Sequence, residues 1–101
     1  NLDERARLIR DLGDKNVMLL RNHGTLTLGK TVAEAFVMHY FLMKACEIQV
    51  HTLAGGSKPH YPSQEAIDTT YQQSQGLPQI APLCWQALIR MLDRQDPSYK
   101  D

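Results

Sequence analysis

Neither sign of charge is in excess in this chain: lysine plus arginine number 11 and aspartate plus glutamate number 11. Proteins that hold nucleic acid or an anionic membrane surface by long-range attraction carry a basic surplus, so neither partner is expected. Cysteine is scarce as well. The two present, Cys46 and Cys84, stand far apart in apolar surroundings, which points to buried reduced thiols rather than a disulfide framework. A reducing, cytoplasmic setting follows from that reading. Long uninterrupted apolar runs are missing too: residues 32–54, the most apolar stretch, are broken by Glu34, His39, Lys44, Glu47, Gln49 and His51. Those polar groups are too many for a lipid-spanning helix, and no membrane insertion is expected. Asn1 opens the sequence with no apolar stretch behind a basic start, so no secretory signal is read. Gly-rich phosphate loops of the GxGxxG or Walker type are lacking, as is a serine elbow.

What is present suits one small domain: 101 residues, of which 43% are hydrophobic. Residues 2–13, LDERARLIRDLG, place Leu2, Ala6, Ile9 and Leu12 near one face, with Asp3 as N-cap or first-turn acid and Gly13 as the stop of a short amphipathic helix. NVMLLRN then reads as an apolar strand and TLTLG as an alternating one. Asn22, His23 and Gly24 connect them, Gly24 being free to take a positive φ, so a hairpin is predicted. A lone hairpin is marginal in water, and no convincing third strand follows.

The strongest element is a helix over residues 31–54. Thr31 and Glu34 have capping-box spacing, and Gly55 and Gly56 end the run. Ala35, Phe36, Met38, Phe41, Cys46 and Ile48 spread over more than one face, so the helix should be buried on several sides by more protein than the other segments supply. SKPHYP is a proline-bearing loop. Ser63 caps a polar helix closed by Gly76 and Pro78, and Pro82 starts a last helix that runs to about Asp93 with Leu83, Ala87, Leu88 and Met91 as its apolar face. Trp85 adds to a packing surface, and the RQDPSYKD tail is expected to fray.

Four histidines are the chemical candidates. His23 stands at a turn that can lift an imidazole above a sheet edge, but a metal site needs three or four converging ligands, and from the residues alone a structural histidine is the simpler reading. His39 and His51 lie on the long helix roughly 120° apart around its axis, on different faces. His60 belongs to the proline loop, where solvation is its simplest state. Cys46 follows His39 by seven residues on nearly one stripe, a spacing that core packing explains, and Glu47 precedes His51 by four, a helix-surface contact. GGSK, residues 55–58, has amides that suit an anion, although a helix stop explains it as well.

The segments LLRNHGTLTLGKTVAEAF and ACEIQVHTLAGG resemble the class II aldolase/adducin family in content and in order, over about residues 1–56. Residues 57–101 then resemble a variable C-terminal helical extension of such proteins. The resemblance implies an α/β/α fold around a mostly antiparallel sheet, of which this chain holds a β-hairpin, a long buried helix and C-terminal helices. It also implies cleavage of sugar phosphates with a divalent metal, usually zinc, held by three histidines, and assembly into homo-oligomers. His23 matches the third of those ligands. The other two, a histidine-x-histidine pair, and an acid/base glutamate lie upstream in the family, and no such histidine pair occurs here. The chain is accordingly expected to be a C-terminal fragment without activity or tight metal binding of its own. ACEIQV and LAGG resemble the adducin branch, whose members keep the fold as a non-catalytic interaction or oligomerisation module; fold likeness alone does not choose between the two.

Overall fold

The computed structural model describes residues 2–100. Helix α1 (Leu2–Leu12) carries Asp3 and Glu4 in its first turn and Arg10 in its last, the order that the helix dipole favours. It stops where Gly13 turns left-handed, φ 58°, and its amide bonds back to the Ile9 carbonyl at 3.1 Å. Strands β1 (Val17–Leu20) and β2 (Gly24–Thr27) then pair antiparallel, with Val17 opposite Thr27, Met18 opposite Leu26, Leu19 opposite Thr25 and Leu20 opposite Gly24. At the open end of the hairpin the Leu28 amide donates to the Asn16 carbonyl, 2.8 Å.

Strand alternation gives this ribbon two faces. Thr25 and Thr27 turn toward helix α2 (Val32–Ala54), where the Thr27 hydroxyl donates to the Ala35 carbonyl at 3.1 Å and the Thr25 hydroxyl reaches the Met43 sulfur at 3.9 Å. Met18 and Leu20, one register step away, line a cleft shared with Leu8 of α1. The hairpin thus lies between α2 on one face and α1 on the other, in the α/β/α order that the family resemblance implies.

Helix α2 begins as its capping residues dictate: the Thr31 side chain accepts the Glu34 amide at 3.2 Å. Glu34 reaches back to the amide of Lys30 at 2.7 Å, one residue earlier than in the usual reciprocal box. Helix α3 (Gln64–Ser74) is capped by Ser63, which accepts the Ala66 amide at 3.3 Å. Helix α4 (Leu77–Gln95) packs along α2, with Phe36 against Trp85 and with Val37 and Ala81 the only two buried hydrophobic residues among those described.

Two expectations change. The last helix starts at Leu77, five residues before Pro82, so Gly76 and Pro78 open α4 instead of closing α3. Pro78 fits in that first turn because the amide it lacks has no helical partner there, and Pro82 lies inside the helix, unable to donate to the Pro78 carbonyl four residues back. The tail is not frayed through Lys100: Pro97–Lys100 form a 3-10 turn in which the Tyr99 hydroxyl donates to Asp93 at 2.6 Å and the Lys100 ammonium pairs with the same carboxylate at 2.7 Å. Within the described residues α2 is buried only at Val37, and Ile48, Val50 and Leu53 are all more than half exposed, as expected of a helix that the other segments are too few to cover.

That exposure is measurable as area. The surface is 8722 Å², whereas a compact monomer of this mass exposes about 5,800 Å². The radius of gyration is 16.9 Å against about 13 Å for a compact chain of this length. The apolar flank of β1 and the outer side of α2 are therefore built for contacts that these residues do not make with one another. No helix among the described residues is long and apolar enough to cross a membrane, so the exposed apolar side chains do not mark a span.

Candidate functional site

The connection between β1 and β2 is three residues long, Arg21, Asn22 and His23, and its geometry sets the direction of the imidazole. The His23 amide donates to the Leu20 carbonyl at 3.1 Å, closing the turn. Asn22 takes a left-handed conformation, φ 61°, and Gly24 follows at φ 136°. Asparagine is one of the few non-glycine residues that occupy the left-handed region readily, and Gly24 has no Cβ to clash at its own angle. The chain thereby reverses within the turn and leaves His23 exposed at the hairpin tip.

There the His23 Nδ1 stands 3.0 Å from the Arg21 carbonyl oxygen. A carbonyl oxygen only accepts, so the contact is a hydrogen bond when Nδ1 carries the proton. In the neutral ring that leaves Nε2 as the lone-pair nitrogen, the arrangement by which a backbone carbonyl orients a metal-binding histidine.

Around this tip the structure brings no second ligand. His39 is exposed on α2, His51 lies in the last turn of α2, and His60 is exposed in the loop before α3. Among the described residues no group of three or more histidine, cysteine, aspartate or glutamate side chains is placed to hold a metal ion. Glu47 is engaged by Lys44 at 2.8 Å. Cys46 and Cys84 are both free thiols in half-buried positions. Gly55 and Gly56 act as the helix stop, the Gly56 amide donating to the Leu53 carbonyl at 3.3 Å and Gly56 turning at φ 69°. Tested against a bound divalent ion, the described residues therefore fit as one donor and do not make a site.

Clefts lie near both ends of the hairpin. One of about 370 Å³ lies between α1 and β1, where Glu4, Arg7, Asp11 and Arg21 line it, so it extends to the residue whose carbonyl meets His23. A larger one of about 630 Å³ lies at the opposite, open end of the hairpin, beside Asn16, Leu28, Glu34 and Gln79. Its Glu34 carboxylate already accepts the Lys30 amide, and none of its lining residues belongs to the His23 turn. His23 therefore stands apart from the more spacious cleft, at the hairpin tip. Pattern reading placed Asn22 in the connection but gave the positive φ to Gly24 alone; the type of Asn22, directly before His-Gly, was the available signal that it too turns left-handed.

Residues 2–50 match the family model described as Class II Aldolase and Adducin N-terminal domain. The "Putative aldolase class 2 protein" of Caulobacter vibrioides is 41% identical over 103 residues, covering 100% of this chain and 40% of that protein. Alpha-adducin of Rattus norvegicus is 35% identical over 105 residues, covering 90% of this chain and 14% of its own length. The crystal structure of an aldolase II superfamily protein from Pseudomonas syringae superposes with a TM-score of 0.89 at 40% identity, over 100% of this chain and 41% of that one. The chain belongs to the class II aldolase/adducin family. It spans about two fifths of the length of the bacterial proteins it matches.

Proposed function

We propose that this chain is part of a metal-dependent lyase of aldolase type acting on a sugar phosphate, with His23 as one of the ion's protein ligands. The observation that carries the reading is the Nδ1 contact to the Arg21 carbonyl, which turns Nε2 outward at the hairpin tip. Imidazole nitrogen suits zinc, and a catalytic zinc takes three protein ligands. His23 would hold the ion through Nε2, with the remaining donors coming from polypeptide outside these 101 residues. When bound, such an ion supplies Lewis acidity to the oxygens of the substrate. The protein's own part at this position is to hold the imidazole in one tautomer and direction. In this reading residues 1–56 are the C-terminal part of the family domain, residues 57–101 a helical extension, and the two free thiols fit a reducing, cytoplasmic compartment.

The test is the metal content of the natural gene product that contains residues 1–101, measured by plasma mass spectrometry. The expected result is about one divalent ion per chain, set by a complete ligand set, and its loss in His23→Ala with an unchanged circular dichroism spectrum. Unchanged metal content in His23→Ala overturns the reading.

One observation favours a second reading, a non-catalytic association module of the adducin kind: α2 exposes Tyr40, Ile48 and Val50 in a chain that is also 35% identical to an adducin. Under it the chain forms homo-oligomers through apolar surface, His23→Ala leaves assembly and metal content untouched, and Ile48→Asp shifts the light-scattering mass downward. An unaltered mass in Ile48→Asp removes that interface.

A further inference from the structure

We propose that Asn22 is a positioning residue: its left-handed backbone selects the Nδ1–H tautomer of His23, so that Nε2 faces outward before any ligand arrives. Three observations within the turn join to give this. Asn22 stands at φ 61°, the His23 amide closes on the Leu20 carbonyl at 3.1 Å, and the His23 Nδ1 comes to 3.0 Å from the Arg21 carbonyl. The last contact spans two residues, with Asn22 as the intervening one, so the Asn22 dihedrals set where the Arg21 carbonyl lies relative to the ring. An extended or right-handed residue there points that carbonyl elsewhere and withdraws the acceptor that Nδ1 has among the described residues. Free imidazole side chains favour the proton on Nε2, the opposite of what an outward Nε2 donor needs. The turn therefore does chemical work as well as reversing the chain.

The residue type matters for a physical reason. Left-handed backbone is costly for most side chains because Cβ crowds the following carbonyl, and asparagine and glycine are the residues that tolerate it best. Glycine at 22 would keep the angle accessible, whereas a β-branched residue would abandon it. Replacement thus separates the angle from the asparagine amide itself. The value of the tautomer for metal binding rests on the ligand reading above; the tautomer and its dependence on residue 22 do not.

The experiment reads the His23 ring nitrogens by long-range 1H–15N correlation in the metal-free natural gene product containing residues 1–101, above the pH at which the ring is protonated. Amide shifts of Leu20, Thr25 and Thr27 report that the hairpin is formed. Expected in the unsubstituted protein is a pyrrole-type Nδ1 and a pyridine-type Nε2, retained in Asn22→Gly and reversed toward protonated Nε2 in Asn22→Val. A pyrrole-type Nε2 in the unsubstituted protein overturns the proposal outright, even if Asn22→Val fails to fold. So does an Asn22→Val protein with intact hairpin shifts and an unchanged Nδ1–H pattern. A metal titration of the same samples keeps the two claims apart, since a retained tautomer with no His23-dependent metal would sink the ligand reading and leave this one standing.

Discussion

Phe36 on α2 and Trp85 on α4 meet edge to face, their ring centroids 5.6 Å apart and their planes at 68°. Among the described residues each of these helices has one buried hydrophobic residue, Val37 on α2 and Ala81 on α4. An aromatic pair of this geometry contributes about 0.5–1.5 kcal/mol beyond the area it covers. A double-mutant cycle with Phe36→Leu and Trp85→Leu should return a coupling of about 1 kcal/mol. Urea unfolding followed by far-ultraviolet circular dichroism measures it, and strictly additive single losses would show that the rings touch without supporting one another.

Gly29 and Gly55 should respond to alanine in opposite directions. A Cβ at Gly29 would stand 2.5 Å from the Ala35 amide nitrogen and 2.7 Å from the Glu34 Cβ, at the start of α2 where the backbone cannot retreat. Gly29→Ala should therefore destabilise by about 1–3 kcal/mol, the range for overpacking. Gly55 has a right-handed backbone, φ −72° and ψ −6°, and open space around the missing Cβ. There alanine should stabilise by about 0.4–1 kcal/mol, through a less free unfolded chain. Urea midpoints of the two variants check the contrast.

Much of this was legible beforehand. Helix α2 announced itself through Thr31, Glu34 and the Gly55–Gly56 stop, and the hairpin through an alternating TLTLG run after an apolar one, since caps and strand period are local properties of a few side chains. The start of α4 was not, because Pro78 and Pro82 both carry helix-opening signals and nothing local decides which one opens the helix. The 3-10 turn at Pro97–Lys100 is joined to Asp93, which receives both Tyr99 and Lys100, contacts across six and seven residues that no periodicity reveals. At the site, the type of His23 was readable but its orientation was not. That orientation follows from the Asn22 dihedral and the Arg21 carbonyl, which are backbone facts.

The tail should hold its place in a bounded pH window. A hydrogen bond from Lys100 first, then one from Tyr99, holds the Asp93 carboxyl below its ordinary value of 3.8. The hydrogen bond to Asp93 raises Tyr99 above its ordinary 10.0 and Lys100 above 10.5. The carboxylate's contribution is complete above 3.8 and goes as pH falls through the lowered Asp93 value. The tyrosine and lysine contributions are complete below their ordinary values and go as pH rises through the raised ones. The Tyr99 ring resonances should stay constant between 3.8 and 10.0 and shift toward those of a free tyrosine outside that window. Asp93→Asn should give the free-tyrosine position already at neutral pH; a ring that moves steadily from pH 5 to 9 in the unsubstituted protein speaks against the clamp.

The decisive measurement loads the natural gene product containing residues 1–101 with Co²⁺ and records its proton spectrum far outside the diamagnetic range. A ring bound through Nε2 keeps its Nδ1–H on the Arg21 carbonyl, so one strongly shifted, solvent-exchangeable resonance should belong to His23 and vanish in His23→Ala. If every shifted, exchangeable resonance survives that substitution, His23 does not touch the metal.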